Sequence, residues 1–161
     1  FRLTPQPLDF VDSAPLRVSD SAVVRASPER VFRAFADTAS WPKWFPLMTK
    51  AKWVSDAHEG IGAEREVTLT LLGTYREKFI AWEPEKRFAF TMTKSSSPLA
   101  RAICEDFKFT AEDGGAATRI DWVLAADPRA VGKLLRPVLE QTMKRVFQRS
   151  GPKLQAYLAG R

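Results

Sequence analysis

Between Met48 and Asp127 apolar and polar residues alternate in short runs, and each run ends in turn chemistry. Strands are predicted near 48–56, 63–72, 74–83, 86–94, 101–112 and 116–126, separated by Gly60-Ile61-Gly62, Gly73, Glu83-Pro84-Glu85, Ser95-Ser96-Ser97-Pro98 and Glu112-Asp113-Gly114-Gly115. Turn residues at such regular spacing mark the hairpins of an antiparallel meander. Side chains on a strand alternate between faces, so the pattern also gives an inner lining. On 101–111 Ile103, Glu105, Phe107 and Phe109 share one face, with Cys104, Asp106, Lys108 and Thr110 on the wet one. Tyr75, Glu77 and Phe79 face in, opposite Arg76 and Lys78. Val67, Leu69 and Leu71 share a face with Arg65, and Phe88, Phe90, Met92, Ile120, Trp122 and Leu124 continue the lining. Ala51 and Trp53 are the expected inner side of the strand from 48.

The flanking segments have other periods. Residues 1–16, with Pro5, Pro7 and Pro15, suit an extended arm pinned by Leu3, Leu8, Phe10 and Val11. A first strand runs from Leu16 to Ala26. Ser27-Pro28-Glu29-Arg30 then starts a helix, with a capping hydroxyl, a proline where no donor is needed and an acid at the positive end of the dipole. Val31, Phe32, Ala34 and Phe35 are its buried side, and a second short helix held by Trp41, Trp44 and Phe45 ends at Pro46. From Asp127-Pro128, read as cap and first position, the period becomes helical to about Leu158. Leu134, Leu135, Val138, Leu139, Met143, Val146, Phe147, Leu154, Tyr157 and Leu158 fall on one stripe. Kinks or breaks are expected at Pro137 and at Ser150-Gly151-Pro152.

Charge changes the picture in one place. The chain of 161 residues has a net charge of +6, yet Pro128–Arg161 holds eight basic residues against the single acid Glu140, so the rest is close to neutral. Basicity is therefore a property of the outer face of the last helix. Length and composition suit one domain, 1–161, with 1–15 as its arm. No apolar run is long enough to span a bilayer. One cysteine, Cys104, excludes an internal disulfide, and with no leader before Phe1 a cytoplasmic location is expected. One cysteine and one histidine, His58, cannot form a Cys/His zinc site, and His58 lies in a turn-like segment rather than in a nucleophilic constellation. No glycine-rich phosphate loop exists, so neither a metal nor a cofactor is expected.

This order of elements resembles the helix-grip fold of the START and Bet v 1-like superfamily, in particular the bacterial polyketide cyclase/dehydrase and lipid-transport group. The resemblance is carried by Ala26-Ser27-Pro28-Glu29-Arg30-Val31-Phe32, Trp41-Pro42-Lys43-Trp44, Trp82-Glu83-Pro84-Glu85-Lys86-Arg87-Phe88 and Gly114-Gly115-Ala116-Ala117-Thr118-Arg119-Ile120, over about residues 16–159. It implies an α+β fold in which a curved antiparallel sheet of about seven strands wraps a long C-terminal helix, with two short helices after the first strand. A cavity for an apolar ligand is implied between sheet and helix. Its expected lining is Arg65, Val67, Leu69, Tyr75, Glu77, Phe79, Phe90, Ile103, Glu105, Phe107, Trp122, Leu139, Met143 and Phe147.

Three function classes follow. Binding or transport of a hydrophobic, lipid- or polyketide-like molecule is preferred, by a monomer or homodimer. A cofactor-free cyclase, aromatase or dehydratase would use a desolvated Glu77 or Glu105 to move protons, with Tyr75 or Arg65 steadying an enolate oxygen. A docking module would set the basic helix face on anionic lipid, or on RNA as some relatives act at ribosomes; weak peripheral association with anionic surfaces fits the charge. No specific nucleic-acid partner is expected, since no exposed aromatic stripe accompanies it.

Overall fold

The computed structural model describes residues 1–161. After a short helix α1 (Phe10–Ser13) come strand β1 (Leu16–Val24), helix α2 (Pro28–Ala36), a 3-10 turn at Thr38–Ser40 and helix α3 (Trp41–Trp44). Strands β2 (Met48–Trp53), β3 (Glu64–Leu69), β4 (Gly73–Glu83), β5 (Arg87–Ser95), β6 (Ala100–Glu112) and β7 (Ala117–Pro128) follow. Helices α4 (Ala130–Leu134) and α5 (Arg136–Ala159) close the chain. The strands form one antiparallel sheet in the order β1-β7-β6-β5-β4-β3-β2. It is the meander predicted, with β1 returned to the outer side of β7. Register shifts at Met48/Lys50, Arg76/Glu77, Phe79/Ala81 and Ala100/Ala102 bend individual strands, as bulges do, and curl the sheet around the last helix.

Local chemistry explains the entry to the grip. Ser27 Oγ accepts from the Arg30 amide at 3.3 Å, and Pro28 sits in the first turn of α2. Trp41 Nε1 donates to the Phe35 carbonyl at 2.8 Å and Trp44 Nε1 to Ser40 Oγ at 3.0 Å, so both indoles are buried with their donors satisfied. Each such ring removes roughly 150–250 Å² from water. Phe32, Phe35 and Trp41 thus plug one end of the curled sheet against Phe88, Phe107 and Phe109, with Trp44 packed behind them on Phe35 and Trp41.

Several expectations are corrected. Asp127 and Pro128 do not start the last helix. β7 pairs with β6 as far as Ala100↔Pro128, and α4 begins beyond Arg129 without a side-chain cap. A proline at the last strand position loses no needed ladder bond, and the pairing outcompetes the local helix signal. The break expected near Pro137 is present, since α4 ends at Leu134 and Pro137 enters the first turn of α5. None occurs at Ser150-Gly151-Pro152, where α5 is continuous. There a Cβ on Gly151 would lie 3.4 Å from Ala22 Cβ, so helix and strand approach closely, and contact with β1 holds the helix through its proline. Only the second half of the predicted stripe is covered: Val146, Phe147, Leu154 and Leu158 are buried, whereas Leu134, Leu135 and Val138 face solvent. Leu71 leaves the inner face altogether, in the β3–β4 turn at φ 68°. The arm folds as α1 and covers part of the outer sheet face, so Cys104 and Asp106, expected to be wet, are buried beneath or beside it.

Candidate functional site

Along β4 and β6 the inner face changes character partway along the strand. On β6 Phe107 and Phe109 give way to Glu105, Ile103 and Ala100, and on β4 Phe79 gives way to Glu77 and Tyr75. The aromatic side is packed solid. The other side encloses a cavity of about 110 Å³. Leu69, Tyr75, Glu77, Phe90, Ile103 and Glu105 form its sheet wall, Arg65 closes its inner end, and Leu139 and Met143 of α5 form its roof.

The cross-strand register explains why the polar residues meet. Arg65 lies opposite Glu77, and Glu105 lies opposite Phe90 on one side and Leu124 on the other. Arg65 Nε donates to Glu77 Oε1 at 2.6 Å, and its Nη1 reaches Thr38 Oγ1 at 3.5 Å. Its guanidinium carbon sits 4.3 Å from the Trp41 ring centre and 5.3 Å from those of Phe79 and Phe90. Nη2 has no hydrogen-bond partner although the side chain is completely buried. A buried, unpaired donor is costly, about 1–3 kcal/mol or more when charged. It marks a place where a ligand acceptor would be stabilising.

Glu105 has one hydrogen bond, accepted from Trp122 Nε1 at 3.2 Å. Burial, with Glu77 adding repulsion, pushes its carboxyl up to about 8. Burial also raises Glu77, while the Arg65 guanidinium pulls it back. Desolvation disfavours a second anion beside a single cation. The inner end of the cavity thus presents the Arg65–Glu77 pair, a Glu105 carboxyl whose proton burial holds up to about pH 8, and a guanidinium N–H without a partner.

Other predicted residues lie elsewhere. Val67, Phe79, Phe107, Trp122 and Phe147 are buried in the filled part and do not line the cavity; Phe147 stacks on Trp122 at 4.9 Å. Tyr75 lines the cavity, but its hydroxyl donates to the Leu72 carbonyl at 2.6 Å and pairs with Ser97 at 3.2 Å, turned from Arg65 toward the β3–β4 turn. His58 is exposed and stacks on Trp53. The unpredicted lining includes Leu16 and Val18, which strand parity could have supplied, and Gly132, which no pattern announces. A Cβ on Gly132 would lie 2.0 Å from the Leu99 carbonyl oxygen, so only glycine lets α4 close against the β5–β6 turn.

Comparison with known proteins gives a consistent result. Residues 15–159 match the family described as polyketide cyclase/dehydrase and lipid transport. An uncharacterized protein of Mycobacterium tuberculosis is 32% identical over 145 residues, covering 88% of this chain and 86% of that protein, and one of Mycobacterium bovis matches equally. Among solved structures, the Zhui aromatase/cyclase from a Streptomyces species superposes with a TM-score of 0.74 at 15% identity, over 89% of this chain and 93% of that one. A START superfamily protein from Mycobacterium smegmatis gives 0.66 at 15% identity, over 89% and 97%. The fold is therefore the START/Bet v 1 helix grip.

Proposed function

The chain belongs to the polyketide cyclase/dehydrase and lipid transport family, and on that premise we propose that it binds a hydrophobic small molecule between the sheet and α5. One observation carries the reading: an apolar cavity whose inner end holds a completely buried Arg65 with an unpaired Nη2. A mostly apolar pocket with few convergent polar groups is the usual form of a small-molecule site. The ligand's apolar body lies along Leu69, Ile103, Leu139 and Met143, and an acceptor oxygen points to Arg65 and Glu105. At about 110 Å³ the cavity is below the roughly 300–1,000 Å³ of typical ligand pockets, so a larger ligand displaces the roof formed by α4 and the start of α5.

Native mass spectrometry of protein purified from its own host tests this. A retained ligand is expected, and Met143→Trp, which fills the cavity, should release it. Protein that carries no adduct and binds no fluorescent apolar probe would remove the reading.

The protonated Glu105 favours a second reading, a cofactor-free cyclisation or dehydration of a poly-keto substrate. A carboxyl with its pKa near 8 gives and takes protons at neutral pH. Arg65 then holds the enolate oxygen. Turnover unchanged in Glu105→Gln and Glu77→Gln would leave binding alone as the function.

A further inference from the structure

We propose that the rim of the cavity mouth is a docking surface for a phospholipid bilayer with anionic headgroups. The rim comprises residues 130–138 on one side and the turns carrying Leu47 and Leu71 on the other. Leu71 is 98% exposed, Leu134 79% and Val138 64%, and Leu47 and Leu135 are also exposed. Scattered exposed leucines are ordinary, but these border one opening. Leu69 and Leu72 line the cavity beside Leu71, and Gly132 and Leu139 line it beside Leu134 and Val138. The β5–β6 turn bridges the two sides. Ser96 Oγ accepts from the Thr74 amide at 2.8 Å, while the Leu99 carbonyl accepts from the Arg129 amide at 2.9 Å.

Backbone geometry singles out two of these leucines. Leu47 and Leu71 both have left-handed φ, 69° and 68°, and the Thr70 amide joins their segments by donating to the Leu47 carbonyl at 2.8 Å. Branched side chains are disfavoured in that region, where glycine or asparagine is at ease. Leu71 gains no burial in return within this chain. Insertion among acyl chains supplies that burial.

Charge selects the partner. Residues 128–139 carry Arg129, Lys133 and Arg136 with no acid, 45–50 carry Lys50 with no acid, and 69–74 and 95–99 are uncharged. Arg136 is bridged to Glu140, but Lys133 and Lys50 have no acidic partner. Apolar side chains ringed by cations fit an anionic interface. A second copy of the same face would repel itself, and one exposed ring, Phe1, falls short of the row of stacking platforms on which single-stranded nucleic acid binds. Docked this way, the mouth opens into the bilayer and an apolar ligand crosses without meeting water.

Co-sedimentation with phosphatidylglycerol/phosphatidylcholine vesicles, against pure phosphatidylcholine at low and high salt, tests the surface. The protein should bind the anionic vesicles and be released by salt. Leu71→Asn combined with Leu134→Ser and Val138→Ser should weaken binding by about tenfold or more while the melting temperature holds or rises. Lys133→Glu should weaken binding and flatten its salt dependence. Failure of wild type to bind anionic vesicles, or equal binding by the triple variant, overturns the proposal. So does a solution dimer that the triple variant dissociates, which would assign the face to a second copy. Vesicle binding by protein that retains no ligand counts against the cavity reading alone.

Discussion

The two ends of the space under the C-terminal helix are built from the same strands and differ in what fills them. At one end α2 and α3 drive Phe32, Phe35, Trp41 and Trp44 into the sheet, and Phe147, Leu154 and Leu158 of α5 seal it. At the other nothing comparable enters, and α5 rests on a cavity with Leu139 and Met143 only half-buried. Arg65, Glu77 and Glu105 mark the border. The contrast teaches that stability and ligand chemistry are separated along the strands: one end holds the fold, leaving the other free to stay incompletely packed. Apolar residues of the helix are covered where the aromatic plug exists and exposed where it does not.

This division can be attacked directly. Phe147→Ala should cost about 3–5 kcal/mol in denaturant unfolding, because it removes a ring stacked on Trp122 from the solid end. Arg65→Ala should cost a comparable amount, about 3–5 kcal/mol, by leaving Glu77 buried without its cation. Arg65→Met with Glu77→Leu should recover much of that loss, which separates the pair's structural cost from any ligand role. If both single variants cost under about 1 kcal/mol, the two ends do not differ as described.

The border should also be visible in pH. An unfolded glutamate loses its proton near about 4.3, whereas buried Glu105 keeps its own to about 8. Folding therefore takes up a proton between these values. The contribution of Glu105 is most favourable below about pH 4.3 and falls as pH rises toward 8, by up to about 1.4 kcal/mol per unit. The stability difference between wild type and Glu105→Gln, followed over pH 5 to 8, should fall with that sign. A difference independent of pH would mean that Glu105 is already ionised.

Smaller effects belong to the open end. Leu139→Ala, at a cavity wall, should cost less than the roughly 2–5 kcal/mol of a fully packed leucine, yet weaken ligand retention in native mass spectrometry. Leu134→Ser should leave stability within about 0.5 kcal/mol by thermal melting, since the side chain touches mostly solvent.

Much of this was legible in the chain. Strand parity put Arg65, Glu77 and Glu105 inside with the aromatic residues, and all three are buried. Turn residues gave the hairpins, and Ser27-Pro28 gave the start of α2. Three things were not legible. Asp127-Pro128 carries a good local helix signal that pairing with Ala100 overrides. Leu71 continues an alternating pattern that ends two residues earlier, at Leu69, because the chain turns there. Phe79, Phe107 and Phe147 have the same phase as Ile103 and Met143, but the first three meet a plug and the other two meet a cavity.

The sequence by itself determined which face of each strand and helix is apolar, because side-chain direction follows backbone period residue by residue. Only the tertiary structure decided where along those faces the apolar surface is covered, because cover depends on how far α2 and α3 reach into the curled sheet and where β7 releases the chain into α4. Periodicity carries phase and no depth. The filled end, the cavity and the bare leucines at its mouth are all outcomes of that second decision.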